Sequence, residues 1–459
     1  MTRPFDAIVI GAGQAGPPLA GRLTASGKRV AVIERHYFGG TCVNTGCRPT
    51  KTLVASAYAA RMAQRAADFG VVLKGAPGID MNTVAARAGK IIHDSRAGIE
   101  SWLEGMEGCT VLRGHARFTG PHEVTVDGEA LSAPLIFVNV GGRAAVPDMP
   151  GLDEVSYLTN STMVELDRLP AHLVVVGGSY IGLEFAQMYR RFGARVSVVE
   201  KGPRLVGRED EDVSAAIREI LEAEGIEVHT GAECISFSGH EDGLAVHVDG
   251  SGGGARIPGS DVLLAIGRRP NTDDLGLAAA GIETDERGYI TVDDHLQTSV
   301  PGVYAMGDCN GRGAFTHTAY NDYEIVAANL LDGKGWKLSE RIPGYALYTD
   351  PPLGRVGMSE AQARATGRPL LIGKRPMSRV GRAQEKAETR GFMKAVVDAQ
   401  TQRILGAAIL GTGGDEAIHG LLDAMNADLP WTFFQRAVPI HPTVSELIPT
   451  LLEGMEPAE

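Results

Sequence analysis

An α/β fold is predicted: two copies of one strand–turn–helix–strand unit, followed by a C-terminal region of α+β character. Three observations predict it. A glycine-rich turn directly follows an apolar strand twice, at Gly11-Ala12-Gly13-Gln14-Ala15-Gly16 and at Gly177-Gly178-Ser179-Tyr180-Ile181-Gly182. In both copies a glutamate closes the next strand, Glu34 and Glu200, each 23 residues after the first turn glycine. From about Arg341 the pattern changes to alternating short strands and two helices, opened by Pro343 and Gly344.

Taken in order, the first unit reads as a strand over 6–10, a helix over 14–26 and a strand over 29–34. A helical stretch follows over 51–69, an amphipathic segment over 81–107, and β-rich sequence to 140. The second unit reads as strand 172–176, a helix to 192 and strand 195–200. Strands then end at Gly267-Arg268-Arg269-Pro270-Asn271 and at Gly307-Asp308. The expected division is 1–150 completed by 269–340, then 151–268, then 341–459.

Composition removes several classes of function. The 459 residues hold 44 basic and 56 acidic side chains, a net charge of −12, which argues against nucleic-acid and anionic-membrane partners. Five cysteines are too few for a disulfide scaffold, and the odd count leaves at least one free. No apolar run reaches the ~20 residues of a membrane helix. Only Met1 to Phe5 precede the first strand, so no room is expected for a signal peptide, and a cytoplasmic protein is the expectation. The 59 glycines are spread through the chain, as tight turns and close backbone–ligand approaches require.

The two glycine turns carry the first chemistry. Gly11, Gly13 and Gly16 let the backbone approach a pyrophosphate at a helix N-terminus, and Glu34 can accept a hydrogen bond from a ribose hydroxyl. Pro17 and Pro18 fall in the first helical turn, where missing N–H groups cost least. In the second turn Ser179 stands where the middle glycine belongs. Glu200 favours NADH, because a carboxylate there repels a 2′-phosphate; Lys201, Arg204 and Arg208 pull toward NADPH. Two Rossmann-like dinucleotide-binding domains follow from this pairing.

Cys42-Val43-Asn44-Thr45-Gly46-Cys47 is the sharpest feature. Two cysteines this close, just after a nucleotide-binding unit, suit a reversible redox pair. A zinc site would need two further ligands, and only His36 is in reach, so no metal site is predicted. Lys51 lies four residues beyond Cys47, where a cation stabilises a thiolate or a reduced cofactor, and Glu184 offers it a partner. In His441-Pro442-Thr443-Val444-Ser445-Glu446 the imidazole projects from a loop entering a helix over 444–452, with Glu446 placed to orient it. A plain helix start with a Thr443–Glu446 capping box fits the same residues. Cys109 and Cys234 are expected to be buried, inert thiols, and Cys309 lies beside Asp308.

These pieces together resemble the class I pyridine nucleotide–disulfide oxidoreductases, the family of dihydrolipoamide dehydrogenase, glutathione reductase and mercuric reductase. The likeness rests on Gly39-Gly40-Thr41-Cys42, Cys47-Arg48-Pro49-Thr50-Lys51, both glycine turns, Gly267 to Asn271, Val303 to Asp308 and His441 to Glu446. It implies FAD in the first domain, held by Gly11, Gly13, Gly16, Glu34, Thr41, Lys51, Ala116, Gly142, Arg268 and Asp308. It implies NAD(P)H in the second, on Gly177, Tyr180, Ile181, Gly182, Glu184, Glu200 and Gly267, with Tyr180 as an aromatic gate. Cys47 would face the flavin, Cys42 would meet the substrate, and the Lys51–Glu184 pair would sit beside the ring. His441 would be the acid/base, presented with Glu446 by the other subunit of a homodimer through a C-terminal dimerisation domain.

The implied activity passes electrons from NAD(P)H through FAD to the Cys42–Cys47 disulfide and on to a small-molecule disulfide. A soft metal ion, Cu(II) or Hg(II), and lipoamide are the alternative acceptors. A transhydrogenase or NADH oxidase bypassing the thiols, and a non-enzymatic flavoprotein, are the other classes. Arg48 departs from the usual aliphatic residue, pointing to a depressed thiol pKa or an anionic substrate. Phe315 to Tyr323 and Tyr348 to Gly354 resemble a mercuric-reductase-like branch that includes copper-reducing, oxidative-stress flavoproteins. The final residues carry no cysteine pair of the mercuric-reductase kind.

Overall fold

A computed structural model of the chain describes residues 1–241, 243–250 and 254–458. Ala7–Ile10 and Val30–Glu34 are almost wholly apolar runs, and such strands are stable only where both faces are covered. They form the centre of a five-stranded parallel sheet in the order Val303–Ala305, Leu135–Val138, Ala7–Ile10, Val30–Glu34, Cys109–Arg113. The outermost strand, Val303–Ala305, comes from far downstream and joins this sheet. Helix Gly16–Ala25 covers one face by burying Leu19, Ala20 and Leu23.

The second unit repeats the arrangement. His172–Val176 is fully buried and pairs in parallel with Arg195–Glu200 on one side and Asp261–Leu264 on the other, with Glu227–Thr230 outermost. Helix Tyr180–Phe192 buries Leu183, Phe185, Ala186, Met188 and Tyr189, and packs on helix Cys47–Gln64 of the first unit. From Gly344 the chain builds a six-stranded antiparallel sheet ordered Gly344–Leu347, Leu353–Gly357, Ile404–Leu410, Phe392–Asp398, Leu370–Pro376, Glu456–Pro457. Helices His419–Asn426 and Ile448–Glu453 bury Leu421, Ile448, Leu451 and Leu452 in its core. The fold is therefore α/β with two doubly wound units and an α+β C-terminal region. Among the described residues no helix is long and apolar enough to cross a membrane.

Element ends differ from expectation where local chemistry overrides periodicity. The helix expected over 51–69 starts earlier, at Cys47, and stops at Gln64 before a 3-10 turn, Ala66–Phe69. The helix expected over 444–452 is a 3-10 turn, Ser445–Leu447, running into Ile448–Glu453. Two of the cysteines also differ. Cys234 is exposed rather than buried, because its strand, Ala232–His240, ends a three-stranded antiparallel sheet and is irregular next to Cys234. Cys109 is half-buried at the start of the edge strand of the first sheet. Cys309 is fully buried, and burial pushes its thiol up to about 12.

Candidate functional site

Both glycine turns open into one cleft of about 3150 Å³. That exceeds by several-fold the few hundred to ~1,000 Å³ of a site for one small ligand. Gly11 and Gly177 adopt φ of +100° and +115°, and a Cβ on either would come 2.3 Å from a backbone carbonyl oxygen, of Asn139 and Ala265 respectively. Gly16 and Gly182 sit behind the turns, where a Cβ would lie 2.4 and 2.1 Å from the carbonyl oxygens of Gly11 and Gly177. The helix thus closes tightly on its strand in both units, with the turn lining the cleft. Glu34 accepts from the N–H of Ala12 at 2.9 Å, and Glu200 accepts from the N–H of Gly178 at 2.6 Å. Each carboxylate is locked at the end of its strand, and lines the cleft. The two units are built as cradles of the same kind, which fits two bound dinucleotides.

The cysteines are brought together by two helices. Cys42 lies in the short helix Gly40–Asn44, and Cys47 is the first residue of helix Cys47–Gln64. Gly46 between them folds back so closely that a Cβ would stand 2.8 Å from the Thr41 carbonyl oxygen. Both are free thiols, and each perturbs the ionisation of the other. The neighbouring Cys42 thiol, with help from the Thr316 hydroxyl 3.3 Å away and the Lys51 charge, outweighs desolvation and lowers the Cys47 thiol. The same neighbour relation, with desolvation, pushes the Cys42 thiol up. Arg48 stands exposed on the cleft wall; it acts on Cys42 in the lowering direction but is outweighed. One residue of the pair is therefore poised as thiolate while the other holds the proton.

One helical turn after Cys47, Lys51 Nζ donates to Glu184 Oε2 at 2.7 Å. The Glu184 side chain is only 5% exposed, and its other oxygen accepts from the N–H of Tyr348 at 3.0 Å. A buried carboxylate needs such partners. Lys51 also lies 4.6 Å from the centre of the Tyr348 ring. Thr41, Ala116, Gly142, Arg268, Asp308, Tyr180, Ile181 and Gly267 line the same cleft, with Arg268 and Asp308 paired at 3.3 Å.

His441 and Glu446 stand apart from it. The His441 side chain is 79% exposed, with Nδ1 2.9 Å from Glu446 Oε2, and neither residue lines the cleft. Glu446 N–H also donates to Thr443 Oγ1 at 3.2 Å, so one half of the capping box coexists with the pair. Val438 and Ile440, just before the histidine, are 95% and 79% exposed, and Phe433 is exposed too.

Residues 5–322 match the family described as pyridine nucleotide-disulphide oxidoreductase, and residues 343–452 match its dimerisation domain. The chain belongs to this family. It is 35% identical over 450 residues to the probable pyridine nucleotide-disulfide oxidoreductase RclA of Escherichia coli, covering 96% of this chain and 97% of that protein. It is also 35% identical over 461 residues to the dihydrolipoyl dehydrogenase of Thermus scotoductus, covering 100% of this chain and 97% of that one. The mercuric reductase of Streptomyces lividans is 34% identical, with 95% and 93% covered. A solved structure described as the Cu(II) complex of the HOCl-induced flavoprotein disulfide reductase RclA superposes with a TM-score of 0.89 at 33% identity, covering 99% of each chain.

Sequence reasoning passed over Thr316, Glu209, Tyr345 and Tyr348. Thr316 and Tyr348 stand inside the two segments carrying the branch resemblance, but nothing local ties a threonine to a cysteine 269 positions away. The hydroxyl has a measurable consequence. In the reduced protein the ultraviolet thiolate absorbance should titrate below the ordinary thiol range, lost as pH falls through the lowered value of Cys47 and present above it. Thr316→Val should move the midpoint upward; an unchanged midpoint would remove Thr316 from the thiolate's support.

Proposed function

We propose that the chain is a homodimeric FAD-dependent NAD(P)H:disulfide oxidoreductase acting on a small-molecule disulfide. The observation that carries this reading is the pair of free thiols Cys42 and Cys47 beside the Lys51–Glu184 ion pair, in a cleft that both glycine turns enter. Residues 1–150, completed by 269–340, form the FAD domain, 151–268 the NAD(P) domain, and 341–459 the dimer interface. When bound, FAD would accept hydride from the nicotinamide and pass the electron pair to the disulfide. Gly11, Gly13, Gly16, Glu34, Thr41, Ala116, Gly142, Arg268 and Asp308 would hold it, and Gly177, Tyr180, Ile181, Gly182, Glu200 and Gly267 would hold the nucleotide.

The chain's own sulfurs do the rest. Cys42 loses its proton to an imidazole and attacks one sulfur of the substrate, forming a mixed disulfide and releasing the first thiolate. Cys47 thiolate then attacks Cys42 Sγ, restoring the intramolecular disulfide and releasing the second thiolate. The net change is RSSR + NAD(P)H + H⁺ to two RSH + NAD(P)⁺. The strongly raised Cys42 thiol makes a base indispensable. Within one chain His317, next to Thr316, has Nε2 2.7 Å from the Gly344 carbonyl oxygen and lies stacked on Phe315. His441 is instead exposed, oriented by Glu446 and flanked by open apolar residues, which supports delivery across a dimer.

A second reading, reduction of Cu(II), is favoured by the Cu(II) described in the RclA structure. The dithiol would then give one electron to each of two Cu(II) ions and release two protons. A panel of glutathione disulfide, other low-molecular-weight disulfides, lipoamide, Cu(II) and Hg(II), each with NADH and with NADPH, tests both. A small-molecule disulfide should give the highest kcat/KM. Turnover of metal ions alone would replace the first reading by the second, and turnover of neither would overturn both.

A further inference from the structure

Glu209 is a carboxylate that the reaction above does not use, yet it is 2% exposed. It lies just before helix Glu211–Glu222 of the second unit. Its Oε1 accepts two hydroxyls at once, Tyr180 at 3.2 Å and Tyr345 at 2.6 Å. Its Oε2 takes no hydrogen bond and faces Arg355 Nη1 at 3.8 Å, an arginine whose side chain is 3% exposed. Burying a carboxylate with one oxygen unbonded costs stability, and Tyr180 is where that cost meets the cleft.

Tyr180 opens helix Tyr180–Phe192 immediately after the second glycine turn and lines the cleft. Tyr345 belongs to strand Gly344–Leu347 of the C-terminal sheet. The Tyr180 ring stands edge-on to Tyr345, with centroids 5.4 Å apart, and edge-on to Phe315 at 6.5 Å. Phe315 and Tyr345 are themselves stacked at 5.6 Å. The ring is therefore held by an aromatic wall on its side and by a charge-assisted hydrogen bond at its tip.

We propose that Glu209 is a positioning residue that clamps the Tyr180 ring in its ligand-free place, so that nicotinamide entry requires the Tyr180–Glu209 hydrogen bond to break. The inference rests on the reading of Tyr180 as the gate over the nicotinamide site. It has a definite sign. A closed gate lowers apparent nucleotide affinity by the fraction of molecules open, so cutting the clamp tightens binding, whereas losing an ordinary packing residue weakens it.

Calorimetric titration of the oxidised holoenzyme with NAD⁺ and with NADP⁺ tests this. Tyr180→Phe, which removes the hydroxyl and leaves the buried charges intact, should lower the dissociation constant of the preferred nucleotide by about 5- to 10-fold. Glu209→Ala should lower it similarly, and the double variant should match either single one. Glu209→Gln, which keeps Oε1 as acceptor, should restore the wild-type value. A dissociation constant unchanged or raised in Tyr180→Phe would overturn the clamp, as would full additivity in the double variant. Tyr180→Ala separates the two readings: if deleting the ring leaves nucleotide binding unchanged, the gate itself is wrong and the clamp falls with it. If Tyr180→Ala alters binding while Tyr180→Phe does not, the gate stands and the clamp is rejected.

Discussion

Cys42→Ser should reduce NAD(P)H-dependent disulfide reduction by at least about 10³-fold while leaving oxidation of NAD(P)H by dioxygen measurable. The serine hydroxyl can still donate to Cys47, so the low-lying thiolate of Cys47 survives the change. What disappears is the sulfur that carries the mixed disulfide. Of the other cysteines, Cys109 lies on the edge strand of the first sheet and Cys309 is sealed in its core, while Cys234, exposed on the three-stranded sheet of the second unit, also lines the cleft. Parallel assays of disulfide consumption and oxygen uptake check it. Retained disulfide reduction in this variant would remove the dithiol from the electron path.

His441→Ala should lower disulfide turnover by about 10²- to 10⁴-fold, the usual worth of a positioned acid/base, without slowing nucleotide oxidation in a single turnover. The raised thiol of Cys42 is the reason the loss is large: without an acceptor, its proton stays on at neutral pH. The decisive form of the experiment uses mixed dimers. Coexpressed Cys42→Ser and His441→Ala subunits, both inactive alone, should regain about half the wild-type activity per dimer, because one of the two sites then unites an intact Cys42 with a partner's intact His441. Mixed dimers as inactive as their parents would place the imidazole in the same chain as the thiols, or outside the reaction.

Much of this site is legible in the amino-acid sequence, and the reason is spacing. Lys51 follows Cys47 by four residues, so a helix over that segment stacks the ammonium one turn beyond the sulfur. Glu34 and Glu200 end strands whose partners run into the glycine turns, and each carboxylate ends up holding one turn N–H group. His441 and Glu446 are five residues apart and meet at 2.9 Å. Each of these is a local relation. The pairing of Lys51 with Glu184, 133 residues apart, is legible for a different reason: both lie next to features that must face a cofactor.

The rest depends on contacts between distant segments. Whether a cysteine is buried follows from the place of its strand in a sheet, which is why Cys234 lies open on its edge strand. Tyr345 and Glu209 have unremarkable surroundings in the chain, and nothing near Thr316 ties it to a cysteine; all three acquire meaning only where the second unit, the C-terminal sheet and the segment after Asp308 converge.

By itself, then, the sequence determined the two glycine-turn cradles, the close cysteine pair with its neighbouring cation, and the oriented imidazole, because turn geometry and helical periodicity act over a few residues. Only the tertiary structure decided that Thr316 reaches Cys47, what holds Tyr180, and that His441 faces outward from its own cleft. Those outcomes depend on burial and on hydrogen bonds closed between remote segments, and neither exists until the domains have packed.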